Sequence, residues 1–163
     1  MSVKMELSRI YIREMIDTQI IELTECDGTR FFPIAIGLPE AFAIERRLKG
    51  QTIPRPQTHD LCADIIRQLG GTLTEIHIND LADGTFFARL VIRTESGTIE
   101  IDSRPSDAIA LGVTGDVPIF VAEKVLEAAG RAAEVADESA DESADDADDD
   151  PADPSSASPL DWD

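Results

Sequence analysis

The 163-residue sequence predicts an α+β fold: antiparallel strand meanders packed with three to four helices in a single domain, followed by a disordered acidic tail. Three observations carry that expectation. Alternating apolar runs arrive in groups, joined by short Asp-Gly or Ser-Gly turns of the kind antiparallel hairpins use. Helical patterns stand between those groups instead of following every strand, which points away from a doubly wound parallel sheet. The last thirty residues carry acids and no Lys or Arg.

Taken in order, Val3, Met5 and Leu7 alternate and run on into Ile10 and Ile12, so residues 3–12 read as a strand. Residues 19–25 and 30–36 give two more, joined by a turn at Cys26-Asp27-Gly28. Leu38-Pro39-Glu40 opens a helix, because proline needs no hydrogen bond in a first turn and the acid meets the positive helix end. Arg46, Arg47, Lys49 and Gly50 close it, and Ala41, Ile44 and Leu48 form its apolar stripe. Pro54 and Pro56 hold residues 53–57 extended. Thr58 then caps a helix reaching Leu69, stopped by Gly70-Gly71. On its wheel Cys62 falls among Leu61, Ile65, Ile66 and Leu69 and is expected in the core. Asp60 and Asp64 take the outward face, with Arg67 three residues on to offset Asp64.

Three strands follow, at 72–81, 84–93 and 97–102, linked by turns at Asp83-Gly84 and Glu95-Ser96-Gly97. Arg89 and Arg93 face away from Phe86, Ala88, Leu90 and Ile92, and the second turn sets Arg89 across from Asp102. The segment Ala108–Val113 is apolar or small all round and reads as a buried helix. A short strand at 118–121 and a last helix over 123–129, ended by Gly130, complete the domain.

Charge separates the chain into two parts. Of 33 acidic residues, 13 lie in 134–163, which leaves 20 against all 14 Lys and Arg in residues 1–133, a net −6. A segment so acidic buries too little apolar surface to offset its conformational entropy, so 134–163 is expected to be disordered and 1–133 to be the folded domain. One use for its Asp145–Asp150 run is to mimic a polyanion and compete for a basic groove; a solvated spacer is the plainer reading. No apolar run nears the roughly 18 residues of a membrane span, no signal-peptide pattern opens the chain, and two cysteines make no disulfide framework. A cytoplasmic protein is expected. No Gly-x-Gly-x-x-Gly or phosphate-loop motif occurs.

The chemistry concentrates at two places. In Ile99–Leu111 a strand ends in acids and a helix begins: Arg104 takes the N-cap, Pro105 the first helical position and Asp107 the third. This is an ordinary capped helix start and also a place where catalytic groups sit. Asp102 has two readings, a metal ligand or catalytic acid, and a cross-strand partner for Arg89. His59 starts the helix after the rigid Pro54-Arg55-Pro56 approach, where an imidazole titrating near neutrality suits a general base or a phosphate contact. His59 and Cys62 have a spacing that could serve one metal, yet Cys26 and His77 are the only further His or Cys candidates and lie in separate strands or turns.

Four blocks, Pro54-Arg-Pro-Gln-Thr-His-Asp-Leu61, Phe86–Ile92, Ile101-Asp-Ser-Arg-Pro-Ser-Asp-Ala-Ile109 and Pro118-Ile-Phe-Val121, occur in an order and spacing that resembles the bifunctional nuclease domain family over about residues 5–130. The resemblance implies a nuclease acting on DNA and RNA, an α+β fold and homo-oligomers. Plant members often add a small helical domain where this chain has its acidic tail. Two functions follow. In the first, phosphodiester hydrolysis uses Asp102 and Asp107 to bind a divalent cation (Mg or Mn) or activate water, His59 as acid or base, and Arg104 and Arg55 to hold phosphate. In the second, the blocks serve folding and assembly of a non-catalytic homo-oligomeric binding module, a reading that the acidic balance favours because polyanion binding rests on phosphate neutralisation.

Overall fold

The computed structural model describes residues 1–130. The expected tail, 134–163, lies outside the described residues. Strands β1 (Ser2–Tyr11), β2 (Thr18–Glu25) and β3 (Phe31–Gly37) form the first meander, followed by helices α1 (Leu38–Leu48) and α2 (Thr58–Gln68). Strands β4 (Thr72–Ala82), β5 (Thr85–Thr94) and β6 (Gly97–Ser103) form the second. Helix α3 (Pro105–Gly112), a 3₁₀ turn at Val113–Gly115, strand β7 (Ile119–Ala122) and helix α4 (residues 123–130) complete the described chain.

The two meanders are one sheet, in the order β3-β2-β1-β7-β4-β5-β6. β7 runs antiparallel to β1 and parallel to β4, so the sheet is mixed and its antiparallel pairs predominate. Both meanders are antiparallel as expected, and the parallel ladder belongs to the short strand, whose partners the sequence left unassigned. A four-residue strand carries no local mark of its neighbours, and only the long connection through α3 makes the parallel return feasible.

Period-two alternation buries Met5, Ile21, Leu23, Ile34, Ile78 and Leu90 in one core, where β2 and β3 pack on α1 and β4 and β5 on α3. The sheet curls around these helices, since Phe32 of β3 and Phe86 of β5, separated by four intervening strands' worth of order, stack with centroids 5.6 Å apart. The β4–β5 hairpin turns on Asp83 and Gly84, both at positive φ (50° and 74°), the geometry for which Asp-Gly is suited. Gly112 lets the end of α3 approach the sheet: a Cβ there would stand 2.6 Å from Ile76 Cδ1.

Helix α3 is buried as expected, through Pro105, Ser106, Ala108, Ile109, Ala110 and Gly112. Two helices depart from their wheels. In α1 the stripe includes Ala41 and Ile44 but not Leu48, which is exposed; Arg47 is buried in its place. In α2 no residue is fully buried; Leu61, Ile65 and Leu69 are exposed and Cys62 is only half-buried, which corrects its placement in the core. The apolar stripe of α2 is wider than the surface that α3 and β4 present to it.

Candidate functional site

The junction between β6 and α3 folds as its residues dictate. Arg104 is extended at the N-cap (φ −73°, ψ 145°), Pro105 opens the helix and Asp107 sits in the first turn. Asp107 does not bond back to free helix amides. Its carboxylate instead accepts from Arg104 Nε at 2.8 Å and Nη2 at 3.2 Å, and from His59 Nε2 at 2.9 Å. Arg104 Nη1 also meets Glu40 Oε1, in the first turn of α1, at 2.9 Å. Residues 48 positions apart thus converge: α2 supplies His59, α3 supplies Asp107, α1 supplies Glu40, and Arg104 links the last two.

These groups line an open cavity of about 850 Å³ with Thr58, Cys62 and Ser103. Burial works to raise the pKa of Asp107, but the hydrogen bonds and charges of Arg104 and His59 outweigh it and hold the carboxyl below the usual aspartate range. Asp107, with Glu40, keeps Arg104 firmly protonated. An ionised Asp107 accepting from Nε2–H fixes the imidazole tautomer and leaves Nδ1 as the acceptor nitrogen.

His59, Arg104 and Asp107 are therefore brought together. Arg55 is exposed on the extended approach to α2 and does not line the cavity, although its neighbours Pro56 and Gln57 do. Asp102 lies outside the cavity on the edge strand. Its register opposite Arg89 is as expected, but Arg89 pairs with Glu100 at 2.8 Å, so the Arg89–Asp102 ion pair is corrected to Arg89–Glu100. Asp102 therefore does not share the cavity with Asp107, and among the described residues no group of three His, Cys, Asp or Glu side chains is arranged to hold a metal.

Asp64 pairs with Arg67 on the surface at 2.8 Å, as its spacing predicts. Asp60 does not share that solvated face. It accepts from Arg46 Nη2 at 2.7 Å, from the Gln57 backbone N–H at 3.0 Å and from Arg47 Nη1. Burial acts to raise its pKa, and the Gln57 amide and the two arginines reverse that and lower it. Sequence reasoning missed Glu40, Asp60, Arg46 and Arg47 as companions of the site. For Glu40 and the arginines the only available signal was charge at helix ends, which ordinary dipole compensation explains equally well.

The fold and the site define an α+β domain whose helix starts gather a His–Asp–Arg cluster beside an open cavity. A family model described as the bifunctional nuclease domain matches residues 21–134, and the chain belongs to that family. It is 44% identical over 111 residues to an uncharacterized protein of Mycobacterium tuberculosis strain H37Rv, and equally to one of strain CDC 1551 / Oshkosh. Those alignments cover 68% of this chain and 66% of each relative, just under two thirds of their length. Bifunctional nuclease 1 of Oryza sativa subsp. japonica is 25% identical over 118 residues, which cover 70% of this chain and 36% of the rice protein.

Proposed function

We propose that the protein hydrolyses phosphodiester bonds in DNA and RNA at the cavity between α1, α2 and α3. The observation that carries this reading is the His59–Asp107–Arg104 chain, formed from the two longest of the sequence blocks and open to solvent on one side. Asp107 orients His59, and Nδ1 takes the proton of an attacking water. The same imidazolium then returns the proton to the departing sugar oxygen as the P–O bond breaks. Arg104, with its side chain 65% exposed, and Arg55 meet the phosphate. Glu40 and Asp107 outnumber the one arginine lining the cavity, so a divalent cation (Mg or Mn) is the co-reactant the reading calls for to bring a polyanion there; no described residue is assigned to hold it.

A cytoplasmic location belongs to the same proposal, supported by the two free cysteines and checked by cell fractionation. Homo-oligomers belong to it too. Leu61, Ile65 and Leu69 on α2 and Ile99 and Ile101 on the edge strand β6 leave apolar surface exposed that a second copy would cover. That surface is also the observation favouring the second reading, a non-catalytic oligomeric module. Light scattering on the purified chain reads the assembly state for either.

The test is cleavage of fluorescent single- and double-stranded DNA and RNA by the full chain in Mg²⁺, Mn²⁺ or EDTA. The wild type is expected to cut with metal, and His59→Ala and Asp107→Ala each to lose about 10²-fold or more, the scale of general acid–base catalysis. A rate unchanged in both variants overturns the proposal and leaves the oligomeric module. Asp102→Ala sorts the outlying member: a lost rate gives it a role at the site, and an unchanged one makes it an edge-strand residue.

A further inference from the structure

We infer that Asp60 is a positioning residue: clamped by Arg46 and Arg47 of α1, it holds the first turn of α2 so that the adjacent His59 meets Asp107. The inference rests on the reading of His59 as the acid–base group, but its geometry is independent of that chemistry.

Helix α2 has no fully buried residue and exposes much of its apolar stripe, so apolar packing anchors it weakly. Its N-terminal turn is held by charge. Successive residues on a helix point about 100° apart, and His59 and Asp60 use that divergence to reach two different helices. His59 Nε2 reaches Asp107 on α3 at 2.9 Å, and Asp60 reaches Arg46 Nη2 on α1 at 2.7 Å and Arg47 Nη1. The Asp60 carboxylate also accepts the Gln57 N–H at 3.0 Å, which ties the end of the Pro54–Pro56 approach into the same knot.

Arg47 completes the frame. Its side chain, 8% exposed, donates from Nε to the Ala110 carbonyl at 2.6 Å and from Nη2 to Thr114 Oγ1 at 2.9 Å. One guanidinium therefore joins the last turn of α3, the C-terminal half of α1 and, through Asp60, the start of α2. Asp107 lies on the first turn of the same α3. The distance between His59 and Asp107 is thus set by three linked helices, with Asp60 as the link from α2 to α1.

The test reads the His59–Asp107 hydrogen bond directly, from the ¹⁵N shifts of the His59 ring in the full-length protein. Asp107→Asn supplies the reference for a broken bond, and Asp64→Asn on the same helix controls for the loss of an acid. In folded Asp60→Asn the His59 shifts are expected to move most of the way to the Asp107→Asn values, with Asp64→Asn at wild-type values and Asp60→Glu recovering at least half the difference. If Asp60→Asn does not fold, Arg46→Gln, which leaves the Arg47–Asp60 bond in place, is expected to give a shift between the two references. His59 shifts unchanged in whichever of these variants folds would overturn the inference. Nuclease rates are measured alongside and are expected to fall at least tenfold in Asp60→Asn at unchanged KM. An inactive wild type would overturn the proposed function while the shifts still decide the role of Asp60.

Discussion

Helices α3 and α2 both contribute to the site and are held in opposite ways. The first presses Ala108, Ile109 and Ala110 into the core against α1 and the sheet, and its position follows from excluding water. The second has half-buried contacts such as Ile66 and a charged first turn. Dispersion and apolar burial are non-directional and tolerate small slides, whereas ion pairs with fixed forks define an orientation. The difference teaches that the carboxylate of the candidate pair sits on the helix buried in the core and the imidazole on the one whose pose depends on charge.

The comparison breaks most sharply in the core. Ile109→Ala, at a site with 1% exposure, is expected to lose about 2–5 kcal/mol in urea unfolding, because a buried methyl-bearing side chain leaves a cavity that relaxes only in part. A loss below about 1 kcal/mol would show that α3 is not the better anchored helix.

Acid should act on the other helix. Asp107 and Asp60 both have folded pKa values below the ordinary aspartate value of about 3.9, so the stability they contribute is present above that value and lost as pH falls through their folded pKa. Urea midpoints followed from pH 7 to pH 3 should decline, and the decline should be shallower in Asp107→Asn, which has no proton to take up there. Amide exchange should locate the early loss in α2, with α3 still protected.

The smallest effect belongs to the outer stripe of α2. Leu69, 81% exposed, is expected to change the unfolding free energy of the isolated protomer by no more than about 0.5 kcal/mol as Leu69→Ser. A larger loss that grows with protein concentration would place Leu69 in an interface between copies.

Much of the fold was legible because its signals are local. Alternation located six of the strands nearly to the residue, Asp83-Gly84 marked a turn that needs positive φ twice, and Pro39 and Pro105 marked helix starts. At the site, the N-cap role of Arg104 was legible for the same reason. What was not legible is what joins distant segments. The spacing of Asp60 on a wheel gives its direction but not what stands there, so a residue facing two arginines of α1 read as solvated. Likewise the wheel of α2 shows an apolar stripe but not how much of it neighbouring elements cover. The 48-residue separation of His59 and Asp107, and the place of β7 between β1 and β4, follow from topology that no short window contains.

Strand β7 ties the sheet together with four residues, pairing Met5 with Ile119 on one side and Ile78 with Val121 on the other. For a chain made from its N-terminus, this means that the first strand waits for nearly the last described one. Until residue 122 has been made, β1 and β4 each lack the neighbour that β7 supplies, and an unpaired strand edge is a template for the wrong one. Closing a loop of more than a hundred residues is slow compared with hairpin formation, so the joining of the halves is the step at which chaperone help or aggregation would be decided.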